Sequence, residues 1–390
     1  MRESENINKA VATGTLSYLA RKHELIMAEI AQIYVRQPDD LQQKAMTHAL
    51  EALVLQHNVD PLLHLLKKKY PFIRLFAQEA LSLLETQQAQ DILIAMLVHP
   101  CWLVRSIAAH QVGQRQIHAA QEILVTLLQD RIIEVRLSAV EALSKLHEHE
   151  SVGPLIGALS DRHQYVRSAA ANALASFNTP DVLQPLIAAL NDTAWYVRST
   201  AIESLAVLNS TEAFDALVAA LHDRQEPVRR AAAKALGKLG DKRAVEPMIA
   251  ALRERQISTC IALAEALGAL GDHQAVKPLL RLFRRKVFGT GSSCNVQNGV
   301  LRALGQLGVI EPIISALDHH HEFVRMSAVK ILGTMKDQRA VTSLFRVVND
   351  SALSVRHAAV KAIEELGHNV IQCDEWPPNW EDAPGRNAAR

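Results

Sequence analysis

Arg74, Arg105, Arg136, Arg167, Arg198 and Arg229 recur at one constant interval, each in the same setting: "PFIRLFAQEALSLL", "IEVRLSAVEALSKL", "QYVRSAAANALASF", "EPVRRAAAKALGKL". A fixed period of this length marks stacked supersecondary units, each burying its apolar face only against its neighbours. Continuing the count gives Cys260, then Gln297, Arg325 and Arg356, and counting backward gives Gln43. Eleven repeats therefore cover residues 20–368. An N-terminal extension, 1–19, and an extended tail, 369–390, flank them.

Each unit reads as two helices. The second starts at the "VR" and keeps apolar residues at three- and four-residue spacing, as in Val166, Ala169, Ala170, Leu174 and Phe177. The first starts near a proline that recurs in register at Pro61, Pro154, Pro185, Pro247 and Pro278. Proline suits a first helical turn, where its missing N–H has no partner within the helix. Eight residues after the arginine the side chain is small (Gly113, Gly237, Gly268, Gly305, Gly333), which predicts close helix approach. The last repeat puts Glu364 there, as suits a terminal unit. Asp130, Asp161, Asp192, Asp223 and Asp350 precede their arginines by six residues, a place from which a carboxylate can cap a helix and bond an arginine. The expected fold is all-α, a superhelical solenoid of about eleven helix pairs.

The rhythm breaks at 281–299. Cys260 and Gln297 hold arginine places, the interval between them is longer than the others, and the next, from Gln297 to Arg325, is shorter. "RLFRRKVF" followed by "GTGSSCN" reads as a basic helix end and a flexible loop, with Arg281, Arg284, Arg285, Lys286, Ser292 and Ser293 as a candidate anion site. The P-loop spacing is missing. Two lost arginines also predict a weak joint there.

Aromatic residues gather at the turn before the second helix. Phe72, Tyr165, Tyr196 and Phe323 share one repeat position, Trp102 and Trp195 another, and Tyr70 lies beside them. Aligned in a stack, they form a candidate partner-binding rim. A stripe five residues after the arginine (Glu79, His110, Glu141, Asn172, Glu203, Lys234, Glu265, Arg302, Lys330, Lys361) turns from mostly acidic to mostly basic along the chain.

With 42 Lys and Arg against 41 Asp and Glu, the chain has no global field for nucleic acid or an anionic membrane. No apolar run is long enough to span a bilayer and no N-terminal signal is visible. Cys101, Cys260, Cys294 and Cys373 show neither zinc nor disulfide spacing, which reads as a cytoplasmic protein. His319–Glu322 and His147–Glu150 crowd two turns, but solvated turn histidines account for both, so no metal or other cofactor is expected.

The consensus "PLIxAL-xD-xxxxVRxxAAxAL" resembles the HEAT-like repeats of the phycobilisome-lyase type, over nearly the whole chain. That family includes chromophore lyases, scaffolds, adaptors and metal-dependent hydroxylases. The hydroxylases carry His-Glu dyads directly after the "VR". Here those places hold residues such as Leu137–Ser138 and Ser168–Ala169, and His357 is followed by Ala358. The resemblance therefore implies a protein-binding scaffold or adaptor without catalysis. The alternative it implies is a phycobilin lyase that presents a bilin to a phycobiliprotein.

Overall fold

The computed structural model describes residues 87–253, 256–285 and 290–368, and among them every regular element is helical. The fold is all-α, a solenoid of helix pairs. The chain divides into two compact units, Met1–Ala189 and Leu190–Arg390. The two repeats expected before residue 87, the rim residues Tyr70 and Phe72, Lys286, and the tail lie outside the described residues.

In the first unit the helices are α1 (Gln87–Met96), α2 (Trp102–Gln114), α3 (Gln121–Leu127), α4 (Ile133–Leu146), α5 (Val152–Ala158), α6 (Gln164–Leu174) and α7 (Leu183–Ala189). The second unit begins with α8 (Trp195–Leu208), α9 (Phe214–Ala220), α10 (Glu226–Leu239), α11 (Val245–Ala251) and α12 (Ile257–Leu270). It continues with α13 (Val276–Phe283), α14 (Thr290–Gln306), α15 (Glu311–Ser315), α16 (Glu322–Met335), α17 (Val341–Val347) and α18 (Leu353–Glu365).

The even-numbered helices are the ones expected at each "VR". Within each unit they pack side by side, α2–α4–α6 and α8 through α18, with the shorter odd-numbered helices against them. Their apolar spacing does this. On α6, Val166, Ala170, Ala171, Ala173 and Leu174 are all buried, so one stripe faces the neighbours and the rest faces water. The small residues are needed for the approach. A Cβ on Gly113 would sit 2.6 Å from the Cα of Ala142, and one on Gly268 would sit 2.7 Å from the Cα of Ala303. Glu364, at that place on the last helix, is exposed.

Past the end of most long helices the chain turns through a left-handed conformation, always at the same repeat position. Gly240, Gly271, Gly308 and Gly367 take it, but so do Gln116, His147, Asn209 and Lys336, which meet a steric cost that glycine avoids. A three-residue 3-10 turn then leads into the next short helix, except before α15. The short interval from Gln297 to Arg325 is the loss of that turn.

The Asp/Arg set builds rungs between neighbouring repeats. Arg136 donates from Nε and Nη2 to both carboxylate oxygens of Asp161, in the next repeat, at 2.7 and 2.9 Å. Its Nη1 donates back to the carbonyl of Asp130 at 2.9 Å. Asp161 also accepts the N–H of His163 at 2.7 Å, which sets the turn entering α6. Arg198–Asp223 and Arg325–Asp350 repeat this bidentate geometry, and Arg105–Asp130 forms the same ion pair. The carboxylate thus holds the arginine of the preceding repeat, while its own repeat's arginine holds its backbone.

These rungs respond to acid. Burial alone would raise the Asp223 carboxyl, but the bonds from Arg198 and from the Gln225 N–H outweigh it and keep the group below its ordinary 3.8. Asp350 is held down in the same way by Arg325 and the Ala352 N–H. A depressed carboxylate contributes stability that is present above the unfolded value and lost as pH falls through the folded one. Acid titration of hydrogen-exchange protection should therefore weaken the second unit below about pH 4. The Asp223→Asn/Asp350→Asn variant should have a flatter acid limb, and an unchanged limb would remove these rungs from the explanation.

The break differs from expectation in two ways. Residues 290–295, read as loop, are the first turns of α14, which has 17 residues where α12 has 14. Cys294 and Val296 are buried there and a Cβ on Gly299 would sit 3.3 Å from the Ile261 side chain, so packing overrides the poor helix propensity of "GTGSS". Nor is the joint weak: α12 and α14 pack as extensively as any neighbouring pair of long helices in the second unit, and Arg302 pairs with Glu265 at 2.8 Å. The missing arginine has a substitute. Arg285 stands to Cys260 as Asp161 stands to Arg136, at the aspartate place. It reaches back to the carbonyls of Leu252 and Arg253 at 3.2 and 3.3 Å. The donor has crossed the interface.

Candidate functional site

Seven of the described turns from a short helix into a long one are shaped by the same bond. The aspartate or its substitute accepts the N–H two residues on. Histidine can do this as well: His319 Nδ1 accepts from His321 N–H at 3.1 Å, and His99 Nδ1 accepts from Cys101 N–H at 3.1 Å. His319 Nε2 lies 3.3 Å from the amide nitrogen of Gln297, which donates to the Phe283 carbonyl at 3.2 Å. Burial first, then the neighbouring His320 and His321, push His319 below the usual imidazole value. Gln297 and His319 thus face each other, without a charge pair, at the arginine and aspartate places. Among the described residues no three His, Cys, Asp or Glu gather to hold a metal ion.

This rigid turn carries the aromatic rim. In the first unit Trp102 is 38% exposed and Tyr165 55%; in the second, Trp195 is 41% and Phe323 53% exposed. Tyr165 and Phe323 hold the same place, and each lies against a histidine two residues earlier (His163 at 5.3 Å, His321 at 5.5 Å). Those histidines accept the N–H of Tyr165 and of Phe323, so ring and helix start are fixed together. Tyr196 is different. It is half-buried and meets Trp195 edge-on at 5.4 Å, so it supports the exposed indole. Sequence reasoning restricted to aromatics missed Leu353, which occupies the Trp102 and Trp195 place and is 54% exposed. The repeat register points to it directly.

Of the candidate anion residues, Arg281 is exposed on α13, Arg284 is exposed at its end, and Arg285 is engaged in the crossed rung. Ser292 and Ser293 belong to the helix α14. Nearby, in the second unit, a cavity of about 590 Å³ opens between consecutive turns, lined by Leu221, His222, Arg229, Ala250, Ala251 and Arg253. The second-helix stripe links neighbours: His110 lies 3.6 Å from Glu141, as Arg302 pairs with Glu265. No described helix is long and apolar enough to cross a membrane.

The profile of the family described as HEAT repeats matches residues 91–161, 122–206, 153–233, 183–260, 214–290 and 286–364. Comparison with curated proteins finds no match. Among solved structures, the Escherichia coli protein YibA is 23% identical over 64% of this chain and 92% of its own, with a TM-score of 0.51. A chain from the complex of Kap95p with RanGDP is 13% identical over 86% of this chain and 57% of its own, with a TM-score of 0.57. The complex of CpcE and CpcF of phycocyanin lyase from Nostoc sp. is 22% identical over 57% of this chain and 94% of the other, with a TM-score of 0.36. That last likeness is too distant to carry an argument, and the first two concern the fold alone.

Proposed function

The chain belongs to the HEAT-repeat family, and from that premise we propose that it is a protein-binding scaffold or adaptor without catalysis of its own. The observation that carries this reading is the exposed side chains at matched places on rigid turns: Trp102 and Tyr165 in the first unit, Trp195, Phe323 and Leu353 in the second. Large apolar side chains held outward by helix starts are the anchors that interfaces use. Family membership supports the same reading, as does the complex in which Kap95p meets RanGDP. Free thiols at Cys101, Cys260 and Cys294 support a reducing compartment such as the cytoplasm.

The test uses the full chain as bait in extracts of its host. Trp195→Ala/Phe323→Ala should weaken capture of the bound protein by about tenfold or more, the scale of a hot-spot pair. Both side chains are exposed, so helicity and melting should stay unchanged. Capture that survives intact would sink the rim as the binding surface. The finer resemblance, to the phycobilisome-lyase repeat type, keeps the bilin-lyase reading as the alternative. A shift in bilin absorbance on mixing with the purified protein would favour it.

A further inference from the structure

We propose that His319 is a pH-sensitive latch in the turn that presents Phe323: a proton on its ring opens the turn from α15 into α16. The proposal rests on the scaffold reading, because Phe323 belongs to the rim whose regulation it names.

The bonds of the turn are the first observation. At most other turns a carboxylate accepts the N–H two residues on, as Asp161 does from His163 and Asp350 from Ala352. A carboxylate remains an acceptor at neutral and mildly acidic pH. Here the acceptor is an imidazole nitrogen: His319 Nδ1 takes the N–H of His321 at 3.1 Å. His321 Nδ1 then takes the N–H of Phe323 at 3.4 Å, and its ring lies 5.5 Å from that of Phe323. Two successive bonds thus need ring nitrogens without a proton. The turn before Tyr165 has only the second of them, because Asp161 stands where His319 stands.

The far side of the ring is the second observation. Nε2 of His319 lies 3.3 Å from the amide nitrogen of Gln297, and that amide is oriented by its bond to the Phe283 carbonyl at 3.2 Å. Both ring nitrogens therefore face N–H groups. A neutral ring can offer a bare nitrogen to one of them, and an imidazolium to neither.

The surrounding charges oppose the proton as well. His320 lies against the ring at 4.2 Å, and Arg325 donates from Nη1 to the His319 carbonyl at 2.9 Å. On the α13 side Phe283 meets the ring edge-on at 6.1 Å and is followed by the exposed Arg284. At the ring α14 brings only the neutral Gln297. The carboxylates nearby serve other groups. Asp318 pairs with Arg346 of α17 at 3.2 Å, Asp350 with Arg325 at 2.7 Å, and Glu311 of α15 and Glu322 of α16 act on Arg339 and Arg325. The charges that act on His319 are His320, His321 and Arg325, and together with burial they hold it below its ordinary 6.5. A base held neutral by the fold contributes stability that is present above about pH 6.5 and lost as pH falls through the folded value. Opening the turn wets the ring, restores its ordinary value and takes up a proton, so mild acid drives the opening.

The experiment follows amide hydrogen exchange of the full chain at about pH 7.5 and about pH 5.5, corrected for the intrinsic rate. An opening that takes up one proton grows by up to about tenfold per pH unit. Protection of the His321 amide, and of the Val324 and Arg325 amides bonded to the His321 carbonyl, should fall by about three- to tenfold in acid. The amides of Ala352 and His163, held by Asp350 and Asp161, should keep theirs. His319→Asp installs the acceptor of the other turns and should remove the pH dependence; His319→Asn, a neutral acceptor, should do the same without adding a charge. A loss below about twofold at His321, an equal loss at Ala352, or variants that loosen in acid as the parent does would each overturn the latch. Exchange is read on the chain alone, so its failure leaves the scaffold reading standing. That reading is decided by capture at about pH 7.5.

Discussion

Leu174→Ala should destabilise the first unit by about 2–5 kcal/mol. Leu174 ends α6 and is completely buried, as are Leu143 on α4 and Leu155 on α5, the helices packed against α6. Three residues on, Phe177 stacks on His147 at 4.6 Å, tying the end of this helix to the preceding repeat. The cost is therefore the lost transfer of the side chain plus that of an unfilled cavity. A stacked array does not unfold all at once, because each repeat leans only on its neighbours. Hydrogen exchange should accordingly lose protection first in α4 and α6, before any change near α16 and α18. Protection within error of the parent at α6 would mean that Leu174 is not a core residue.

Such a core was legible because the same constraint is written nine times in the described residues. A repeat that must bury two faces against copies of itself has little freedom in period, in small residues, or in the place of its arginine. The positions of Leu174, Gly268 and Asp161 followed from register alone. The break was less legible, for a physical reason. "GTGSS" has the local chemistry of a loop, and single-segment reasoning weighs local propensity. The buried Cys294 and Val296 and the close approach of Ile261 to Gly299 depend on a neighbouring repeat that the segment does not name. Arg285 was visible as a basic residue. Its meaning came only from counting on from Cys260 by the offset that separates Arg136 from Asp161, which shows that donor and acceptor sides had been exchanged. The rim was legible in part: register placed Tyr165 and Phe323 together, but local contacts decide that Tyr196 supports Trp195 and does not join it outside.

Arg136→Met should cost about 3–5 kcal/mol, comparable to the core substitution, because it leaves a buried carboxylate without its charge partner. The Arg136 side chain is 4% exposed and that of Asp161 10%. Three sets of acceptors lose a donor at once: both oxygens of Asp161 and the carbonyls of Asp130 and Arg131. Asp161→Asn keeps an oxygen to accept the His163 N–H, so the turn entering α6 should survive while the ion pair is lost. A double-mutant cycle isolates the rung: the Arg136→Met/Asp161→Asn pair should lose clearly less than the two singles added. At the crossed rung, Arg285→Met removes bonds to the neutral carbonyls of Leu252 and Arg253, and should cost only about 1–3 kcal/mol. A loss at Arg136 below about 1 kcal/mol, as for solvent-exposed pairs, would refute the rung as a structural tie. The ordering of the two costs carries the physical point. A charged rung joins two opposite charges, whereas a bond to a backbone carbonyl joins a charge to a neutral dipole and is weaker.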